Sequence, residues 1–501
     1  MWWWPAWTAV AVLLAERVVS APDSLLLVSF DGFRHDLLNE TLVPNIHKWA
    51  QTGSWFTRGV ESQYLSHTAP NHMSIVTGRG ERMHGIVGNT FINTTTHRRF
   101  DVFNTTGQQL VNQSLTDSSW YLASPIWIHA EHNGRKAGCM AWPMCDAVFA
   151  DAPHQPSFVQ TWGGLGNLTK WERQVDNIIN LLARSYNPMN FVAYYVEEPD
   201  MVLHQNGFHN GELQRRLGEL DQLWAYLLKR VHSSGLEGRL NIILTADHGH
   251  AQIESVDTIF FVGDHINVTD GVELGDRTMY VADEQRRNEL VKTLRDAVTT
   301  SGLKTKIYTK DEMAQKWDWA ASPRVGDIII EPAIGEQVLW GHKEDFVASL
   351  HGHPFNQSTH GHDPRAEEMR ALLVAVGPSF RHGYRVILRA GHWTSYIQTD
   401  MVPLNTDLMP LMCHLLDVPI PRDLHGSMEI FKEALKADGA GSGLSGAWIL
   451  WIVLALSLIT IGVAILCVLC RRRAVASSYS SPTAAIPSSL NDSQNRFVES
   501  P

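Results

Sequence analysis

Short apolar runs alternate with longer helix-like stretches through most of this chain. Alternation of this kind predicts an α/β domain with a central, mostly parallel sheet flanked by helices. The predicted strands are Leu25–Phe30, Phe191–Val196, Leu240–Thr245 and Ala371–Val376, and the clearest predicted helices are Trp171–Ser185 and Gly211–Ser233. In such sheets, ligands bind beyond the carboxyl ends of the strands, so polar residues at those ends are candidates for a site.

Both ends of the chain carry hydrophobic segments of a different kind. An apolar stretch, Ala6–Ala15, is followed by small residues at Ser20 and Ala21, which predicts a signal peptide, although no Lys or Arg precedes it. An uncleaved anchor is the alternative, but the apolar run is short for a bilayer. Near the other end, Ala447–Cys470 is uncharged and would span roughly 36 Å as a helix.

Three arginines directly follow that second segment, and the positive-inside rule places them in the cytosol. We therefore predict a single-pass type I protein of the cell membrane, with nearly all its mass outside the cytosol. The predicted parts are a signal peptide (1–20), an extracellular domain (21–436), a Gly/Ser-rich stalk (437–446), a transmembrane helix (447–470) and a disordered cytoplasmic tail (471–501).

Glycosylation sequons and cysteines agree with this topology. The sequons that precede the span are Asn39, Asn93, Asn104, Asn112, Asn167, Asn267 and Asn356. Three cysteines, Cys139, Cys145 and Cys413, precede it as well, so at least one thiol is unpaired or joins another chain. A loop closed by Cys139 and Cys145 is one option that spacing alone leaves open.

Composition limits the choice of substrate. The chain has 501 residues, 44% of them hydrophobic, and a formal charge of −11. It is long enough to bury a large core, and it lacks the basic surface that polymeric DNA or RNA requires. Small phosphate ligands remain compatible with the acidic balance, because a bound Zn²⁺ ion inverts the local field.

Three aspartates and three histidines follow the predicted strands or lie in a histidine-rich segment. Two of them are four residues apart, which places them on one face if a helix begins there. The candidate ligands are Asp31, Asp200, His204, Asp247, His248 and His360. Each has an ordinary alternative: an Asp-Gly turn, a polar loop with an incidental histidine, or a surface loop. Together they have the residue types for two Zn²⁺ ions and hence for phosphoryl transfer.

The nucleophile candidate is Thr68. A hydroxyl bound to a metal loses its proton more easily and can attack phosphorus in line. The alternative is a helix N-cap, because Pro70 follows closely. The two roles are compatible, since a helix N-terminus also favours a phosphate nearby.

In their order and wording, the segments SFDGFR, PNHMSIVTG, HGIVGN, EEPD, ADHG and HGHD resemble the ectonucleotide pyrophosphatase/phosphodiesterases. This family belongs to the alkaline phosphatase superfamily, and the similarity extends over most of residues 24–430. The resemblance implies an alkaline-phosphatase-like domain, and the type I topology is most similar to the small membrane-anchored members.

The resemblance also implies a role for each candidate. One zinc would be held by Asp200, His204 and His360, and the other by Asp31, Thr68, Asp247 and His248. Thr68 would attack and form a phosphothreonine, which water would hydrolyse to release a nucleoside 5′-monophosphate. Asn89 would donate to a phosphoryl oxygen. A neutral Asn suits the monoanion of a diester or pyrophosphate, whereas the arginine of alkaline phosphatases suits a monoester dianion.

Substrate contacts are implied at Trp142, Asp146 and Tyr195, with core packing as the alternative for both aromatic residues. Two positions depart from the family pattern. Ala69 stands where an aromatic residue usually stacks on the base, and Leu203 replaces the usual Gly before His204. Two other functions therefore stay open: a phosphodiesterase for choline-type lipid head groups, and a catalytically silent binding protein on the same fold.

Overall fold

The computed structural model describes residues 24–102, 113–150, 155–268, 271–386, 402–436 and 446–477. The chain divides into two compact units, Met1–Lys436 and Ala437–Pro501. Several predictions fall outside the described residues: the signal peptide, residues 437–445 of the stalk, residues 478–501 of the tail, and the sequons at Asn104 and Asn112.

Strands of the first unit are numbered in chain order. Their bounds are β1 Ser24–Phe30, β2 Ser54–Phe56, β3 Thr90–Asn93, β4 Arg98–Asp101, β5 Ala137–Met140, β6 Phe158–Gln160, β7 Phe191–Val196, β8 Leu240–Thr245, β9 Ala251–Ile253, β10 Ile259–Phe261, β11 Glu273–Leu274, β12 Thr278–Tyr280, β13 Lys306–Thr309, β14 Ile328–Glu331, β15 Gln337–Leu339, β16 Gln357–Thr359, β17 Leu373–Val376 and β18 Tyr384–Val386.

Helices are numbered in the same way. Their bounds are α1 Pro44–Ala50, α2 Thr68–Thr77, α3 Glu81–His84, α4 Gln113–Thr116, α5 Ile126–His132, α6 Leu168–Ala183, α7 Asp200–Asn206, α8 Glu212–Ser233, α9 Glu284–Ser301, α10 Lys310–Ala314, α11 Lys343–Ser349, α12 Leu408–Leu415 and α13 Gly446–Ser477.

Within the described residues, eight strands form the central sheet in the order β18-β2-β17-β8-β1-β7-β5-β6. Most neighbours are parallel, but β17 is antiparallel to both β8 and β2. The sheet is therefore mixed, with a parallel centre. Strands β1, β7 and β8 are buried along their whole length, which explains why most of their residues are apolar.

A smaller lobe follows β10. Strands β11, β12, β14 and β13 form an antiparallel sheet, on which α9 packs to make a separate hydrophobic core around Met279, Leu294 and Ile330. Asp276, in the turn between β11 and β12, contacts His67, Asn89 and Thr90 of the larger part of the unit. This lobe was not distinguished in the sequence.

The predicted elements are confirmed with small shifts. Helix α6 begins three residues before the predicted Trp171, because the Asn167 side chain caps it by accepting from the Lys170 N–H. Strand β17 begins at Leu373 rather than Ala371, and it runs antiparallel to β8. Gly211 stands outside α8 as its N-cap, at a φ of +89°.

The second unit contains α13, whose side chains are described from residue 454 to residue 470. Judged on the described residues, none of the helices combines the length and the apolar character needed to cross a membrane.

Candidate active site

Three of the candidate carboxylates meet at one edge of the central sheet. The register pairs Phe30 of β1 with Val196 of β7, and Ser29 with Thr245 of β8, so the three strands end side by side. Asp31 follows β1 directly, Asp247 follows β8, and Asp200 begins α7 just beyond β7. The Asp200 N–H donates to the Asp31 carbonyl at 3.0 Å, which joins two of these ends. The structure thus brings these three candidate carboxylates together at one edge of the sheet.

The first cluster consists of Asp31, Asp247 and His248, whose ligand atoms lie within 4.8 Å of one another. All three side chains are buried. His248 Nε2 lies 3.0 Å from Asp247 Oδ2 and 3.7 Å from Asp31 Oδ1, yet none of these three atoms has a well-formed hydrogen bond within the described part of the chain. Three buried, unsatisfied ligand atoms facing one another fit a metal ion, which would satisfy all of them.

The electrostatics of this cluster also fit a bound metal ion. Burial, together with Asp247 and Asp200, raises the pKa of Asp31 well above its ordinary range. Burial also acts to raise the pKa of Asp247, but His248 and His72 outweigh it, so the pKa of Asp247 is lowered. The His248 Nδ1–H donates to the Gly249 carbonyl, which can only accept, so the Nε2 lone pair is left for a ligand.

The second cluster consists of Asp200, His204, His250 and His360. His204 Nε2 and His360 Nε2 each lie 3.5 Å from Asp200 Oδ1 and 3.1 Å from each other. Tetrahedral Zn²⁺ with bonds of about 2.0–2.1 Å separates its ligand atoms by roughly 3.3 Å, so this triangle has a suitable size. The His360 Nδ1–H donates to the Ser66 carbonyl at 2.7 Å, which again leaves Nε2 available.

His250 was not among the sequence candidates, although it lies two residues after His248 in ADHGH. Its Nε2 lies 2.6 Å from Asp200 Oδ1, and its Nδ1 lies 3.1 Å from Ser358 Oγ. Although burial alone would raise the pKa of Asp200, His204 and His250 lower it to about 2. The repeated histidine in that short motif was the only signal that could have identified it.

The two clusters are neighbours. The rings of His248 and His360 stack with their centroids 3.7 Å apart and an interplanar angle of 14°. Thr68, the first residue of α2, lies beside them: its carbonyl accepts from His72 Nδ1, and that nitrogen lies 3.5 Å from Asp247 Oδ2. Thr68 is buried and His67 is the N-cap, so the capping alternative for Thr68 is not what the structure has.

The side-chain amide of Asn89 lies next to the first turn of α2, where Thr68 is the candidate nucleophile. The Ala69 N–H donates to Asn89 Oδ1 at 2.7 Å, so the donor end of that amide, Nδ2, is turned away from Ala69. Asp276 holds the Asn89 backbone in turn. It accepts from the Asn89 N–H at 2.5 Å, from the Thr90 N–H and from His67 Nδ1. Asp276 was not singled out in the sequence.

The implied substrate residues have other contacts in the structure. The Tyr195 hydroxyl donates to Asp31 Oδ2 at 2.5 Å, and Trp142 packs edge-on against His72. Both side chains are buried, which favours the packing alternative for each. Asp146 is half-buried and its carbonyl accepts from Gln155. Leu203, one of the departures from the family pattern, is buried in the main core.

Cysteines and sequons can also be placed. A disulfide joins Cys139 to Cys145, and Cys413 is a buried free thiol, so the option left open by spacing is realised. Asn167 and Asn267 are exposed, and Asn39 and Asn93 are half-buried. The Asn356 Nδ2, to which a glycan would attach, donates to the Asn206 carbonyl at 2.5 Å. Glycosylation at these sites stays a prediction.

The fold and this edge of the sheet define a hydrolase of phosphodiester or phosphoanhydride bonds. Residues 25–363 match the model of the family described as type I phosphodiesterase / nucleotide pyrophosphatase. Because that match covers more than half of the chain, the protein belongs to this family, as its motifs predict. It is a nucleotide pyrophosphatase/phosphodiesterase of the same class of hydrolases.

Comparisons with individual relatives support this family assignment. A mouse bis(5′-adenosyl)-triphosphatase is 29% identical over 421 residues, which cover 82% of this chain and 81% of the relative. Human ectonucleotide pyrophosphatase/phosphodiesterase family member 7 is 28% identical over 397 residues, covering 75% of this chain and 81% of the relative. The solved structure of human family member 5 superimposes with a TM-score of 0.69 at 25% identity, covering 83% of this chain and all of that one.

A murine family member 5, solved as an inactive variant in complex with AMP, has a TM-score of 0.70 at 24% identity, and this similarity shows the shared fold.

Proposed function

We propose that the protein is a zinc-dependent ecto-enzyme that hydrolyses nucleotide phosphodiester or phosphoanhydride bonds through a phosphothreonine at Thr68. The products would include a nucleoside 5′-monophosphate. The observation that carries the proposal is the convergence of two ligand clusters beside the first turn of α2. One joins Asp31, Asp247 and His248, the other Asp200, His204 and His360, and their rings are in contact.

When bound to these clusters, two zinc ions would supply positive charge for the transferring phosphoryl group and lower the pKa of the Thr68 hydroxyl. The remaining steps are carried out by side chains of the protein. Thr68 Oγ forms the bond to phosphorus, and the bond to the leaving oxygen breaks. Asn89, fixed through Ala69, presents its Nδ2 donor to a phosphoryl oxygen. Water then cleaves the phosphothreonine and restores Thr68.

The nucleotide preference is supported by relatives, among them the mouse bis(5′-adenosyl)-triphosphatase. A neutral donor at Asn89 also suits a monoanionic diester better than a monoester dianion. Ala69 is fully buried and presents no aromatic ring to a base, so any base contact must come from other residues.

The decisive experiment incubates the full-length protein separately with a dinucleoside triphosphate and with glycerophosphocholine, with and without a chelator. We expect chelator-sensitive release of nucleoside monophosphate, lost in Thr68→Ala and retained in Thr299→Ala, which alters an exposed threonine on α9. Release of phosphocholine alone would assign the protein to the lipid head-group alternative. Turnover that survives Thr68→Ala would refute the phosphothreonine route.

The cellular location is part of the same proposal. The uncharged segment Ala447–Cys470 and the three arginines after it support a single-pass type I protein of the cell membrane, with the hydrolase domain outside. Surface biotinylation of intact cells that express the protein with a C-terminal tag should label the tagged chain, whereas an antibody to the tag should bind only after permeabilisation. Tag staining on intact cells would overturn this orientation.

A further inference from the structure

The contact between His250 and Asp200 differs in kind from every other contact in the second cluster. His204 and His360 approach Asp200 Oδ1 to 3.5 Å, close to the roughly 3.3 Å that separates two ligands of one tetrahedral zinc ion. His250 Nε2 approaches the same oxygen to 2.6 Å. That distance is too short for two ligand atoms and fits a charge-assisted hydrogen bond.

The proton on this contact can be located from chemistry alone. Asp200 Oδ1 is an acceptor, so a bare Nε2 at 2.6 Å would set two lone pairs against each other. His250 must therefore carry a proton on Nε2. On the other side of the ring, Ser358 Oγ lies 3.1 Å from Nδ1 and 2.8 Å from the Leu203 carbonyl. The single Ser358 O–H donates to that carbonyl, so the Nδ1 contact does not decide where the ring proton lies, and the contact with Asp200 places it on Nε2.

The backbone around this contact leaves little freedom. Gly32 has a φ of +66°, and a Cβ at this position would lie 2.9 Å from His250 Cδ2 and 3.0 Å from Asp200 Cβ. Ser358 belongs to β16, which pairs with β9 immediately after His250. The imidazole is thus held from three sides with its donor directed at one carboxylate oxygen.

We infer that His250 is a positioning residue that fixes the Asp200 carboxylate for metal binding and does not itself coordinate the metal. The inference rests on the zinc site of the proposed function. If His250 is not a ligand, the proposed zinc site has three protein ligands and one open position, as catalytic zinc requires. Coordination by His250 as a fourth ligand would close that position. Hydrogen-bond partners of metal ligands typically change metal affinity about 10–100-fold when removed.

The test measures metal binding rather than turnover. Zinc affinity of the full-length protein is determined by competition with a chromophoric chelator for wild type, His250→Ala, His250→Gln and His204→Ala. His232→Ala, which removes an exposed histidine of α8, is the matched control. We expect His250→Ala to weaken one of the two zinc sites about 10–100-fold. The Gln variant, whose amide can replace Nε2–H, should recover most of this loss.

Visible absorption of the Co²⁺-substituted proteins separates positioning from coordination. We expect His250→Ala to keep the wild-type coordination number, and His204→Ala to lose it together with that metal. A His250→Ala spectrum that changes as in His204→Ala would make His250 a ligand and overturn the inference. Zinc affinity within twofold of wild type in His250→Ala would overturn it as well. A wild-type protein that binds no metal would refute the proposed function itself, and the inference with it.

Discussion

The two ligand clusters of this site are built in opposite ways. Asp31, Asp247 and His248 are fully enclosed, and their facing atoms have no hydrogen bond of good geometry within the described residues. In the other cluster, His204 is partly exposed and Asp200 is tied to His250. A metal ion would satisfy the facing atoms of the enclosed cluster, whereas a hydrogen bond within the protein already orients Asp200 in the other.

We expect the largest effect from a substitution in the enclosed cluster, whose ligand atoms a metal ion would satisfy. Asp31→Asn keeps the shape that Tyr195 contacts but removes a buried charge. We expect kcat to fall about a thousandfold or more, because metal-borne charge stabilisation is worth several kcal/mol. The metal-free variant should be more stable than metal-free wild type, because the cost of burying this charge and its repulsion from Asp247 and Asp200 are removed.

Steady-state kinetics and thermal unfolding, each with and without chelator, check both halves of this prediction. Asp257→Asn, at an exposed carboxylate, serves as the control. If the metal-free Asp31→Asn protein were less stable than metal-free wild type, the first cluster would be satisfied by the protein alone and the contrast between the clusters would be wrong.

We expect a smaller loss of activity when a substitution displaces Asn89, the proposed donor to the phosphoryl oxygen, than when it alters a candidate metal ligand. Asp276→Asn removes one of the acceptor oxygens that hold His67 and the backbone at Asn89 and Thr90. We expect kcat to fall by up to about a hundredfold, as displaced reacting groups commonly cause. Zinc content should be unchanged, since the hydrogen bonds described above for Asp276 go to His67, Asn89 and Thr90 and not to the candidate ligands. Asp296→Asn on the surface of α9 is the control, and a loss of zinc in Asp276→Asn would contradict the assignment.

Sequence patterns identified the first cluster more completely than its surroundings. Asp31 and Asp247 could be identified because each lies within two residues of the end of a mostly apolar strand, and parallel strands bring such ends together. Asp276 was not readable: it lies 187 residues from the Asn89 it supports, in a lobe with its own core. Tyr195 was recognised as important, but its hydroxyl turned out to serve Asp31, a contact that depends on the register of β1 and β7.

Gly32 packs tightly against Asp200 and His250 of the second cluster, so its replacement should lower the stability of the fold. Gly32→Ala places a side chain at φ +66° and within 3.0 Å of both Asp200 and His250. The backbone conformation alone costs about 1–3 kcal/mol. Gly302→Ala shares this kind of backbone, with a φ of +74°, but has open space around it. Denaturant unfolding should show a larger loss for Gly32→Ala, and zinc affinity should fall only there. Equal losses would mean that the contacts around Gly32 do not matter.

The smallest effect is expected at Glu81, a buried carboxylate that lies outside both ligand clusters. Glu81 is buried with Oε1 unpartnered among the described residues, but it has no neighbouring ligands. Burial raises its pKa well above the ordinary value of 4.5. The unfolded chain therefore ionises first as pH rises through 4.5, which lowers the stability of the fold above that pH. Glu81→Gln removes this penalty.

We expect Glu81→Gln to raise the free energy of unfolding by about 1 kcal/mol or more at pH 7.5, the value of one pKa unit. At pH 4 its stability should equal that of wild type. Chemical denaturation at both values measures this, with exposed Glu284→Gln as the control. A gain that is the same at both values of pH would attribute the effect to packing rather than to charge.

The most direct test of the two-cluster account is the number of zinc ions bound per chain. Elemental analysis of the full-length protein, dialysed against dilute zinc, should give two ions for wild type. Asp247→Asn should retain one ion, held by Asp200, His204 and His360, and His204→Ala should retain the other. A wild-type protein that binds no zinc, or two single variants that each keep both ions, would contradict the account.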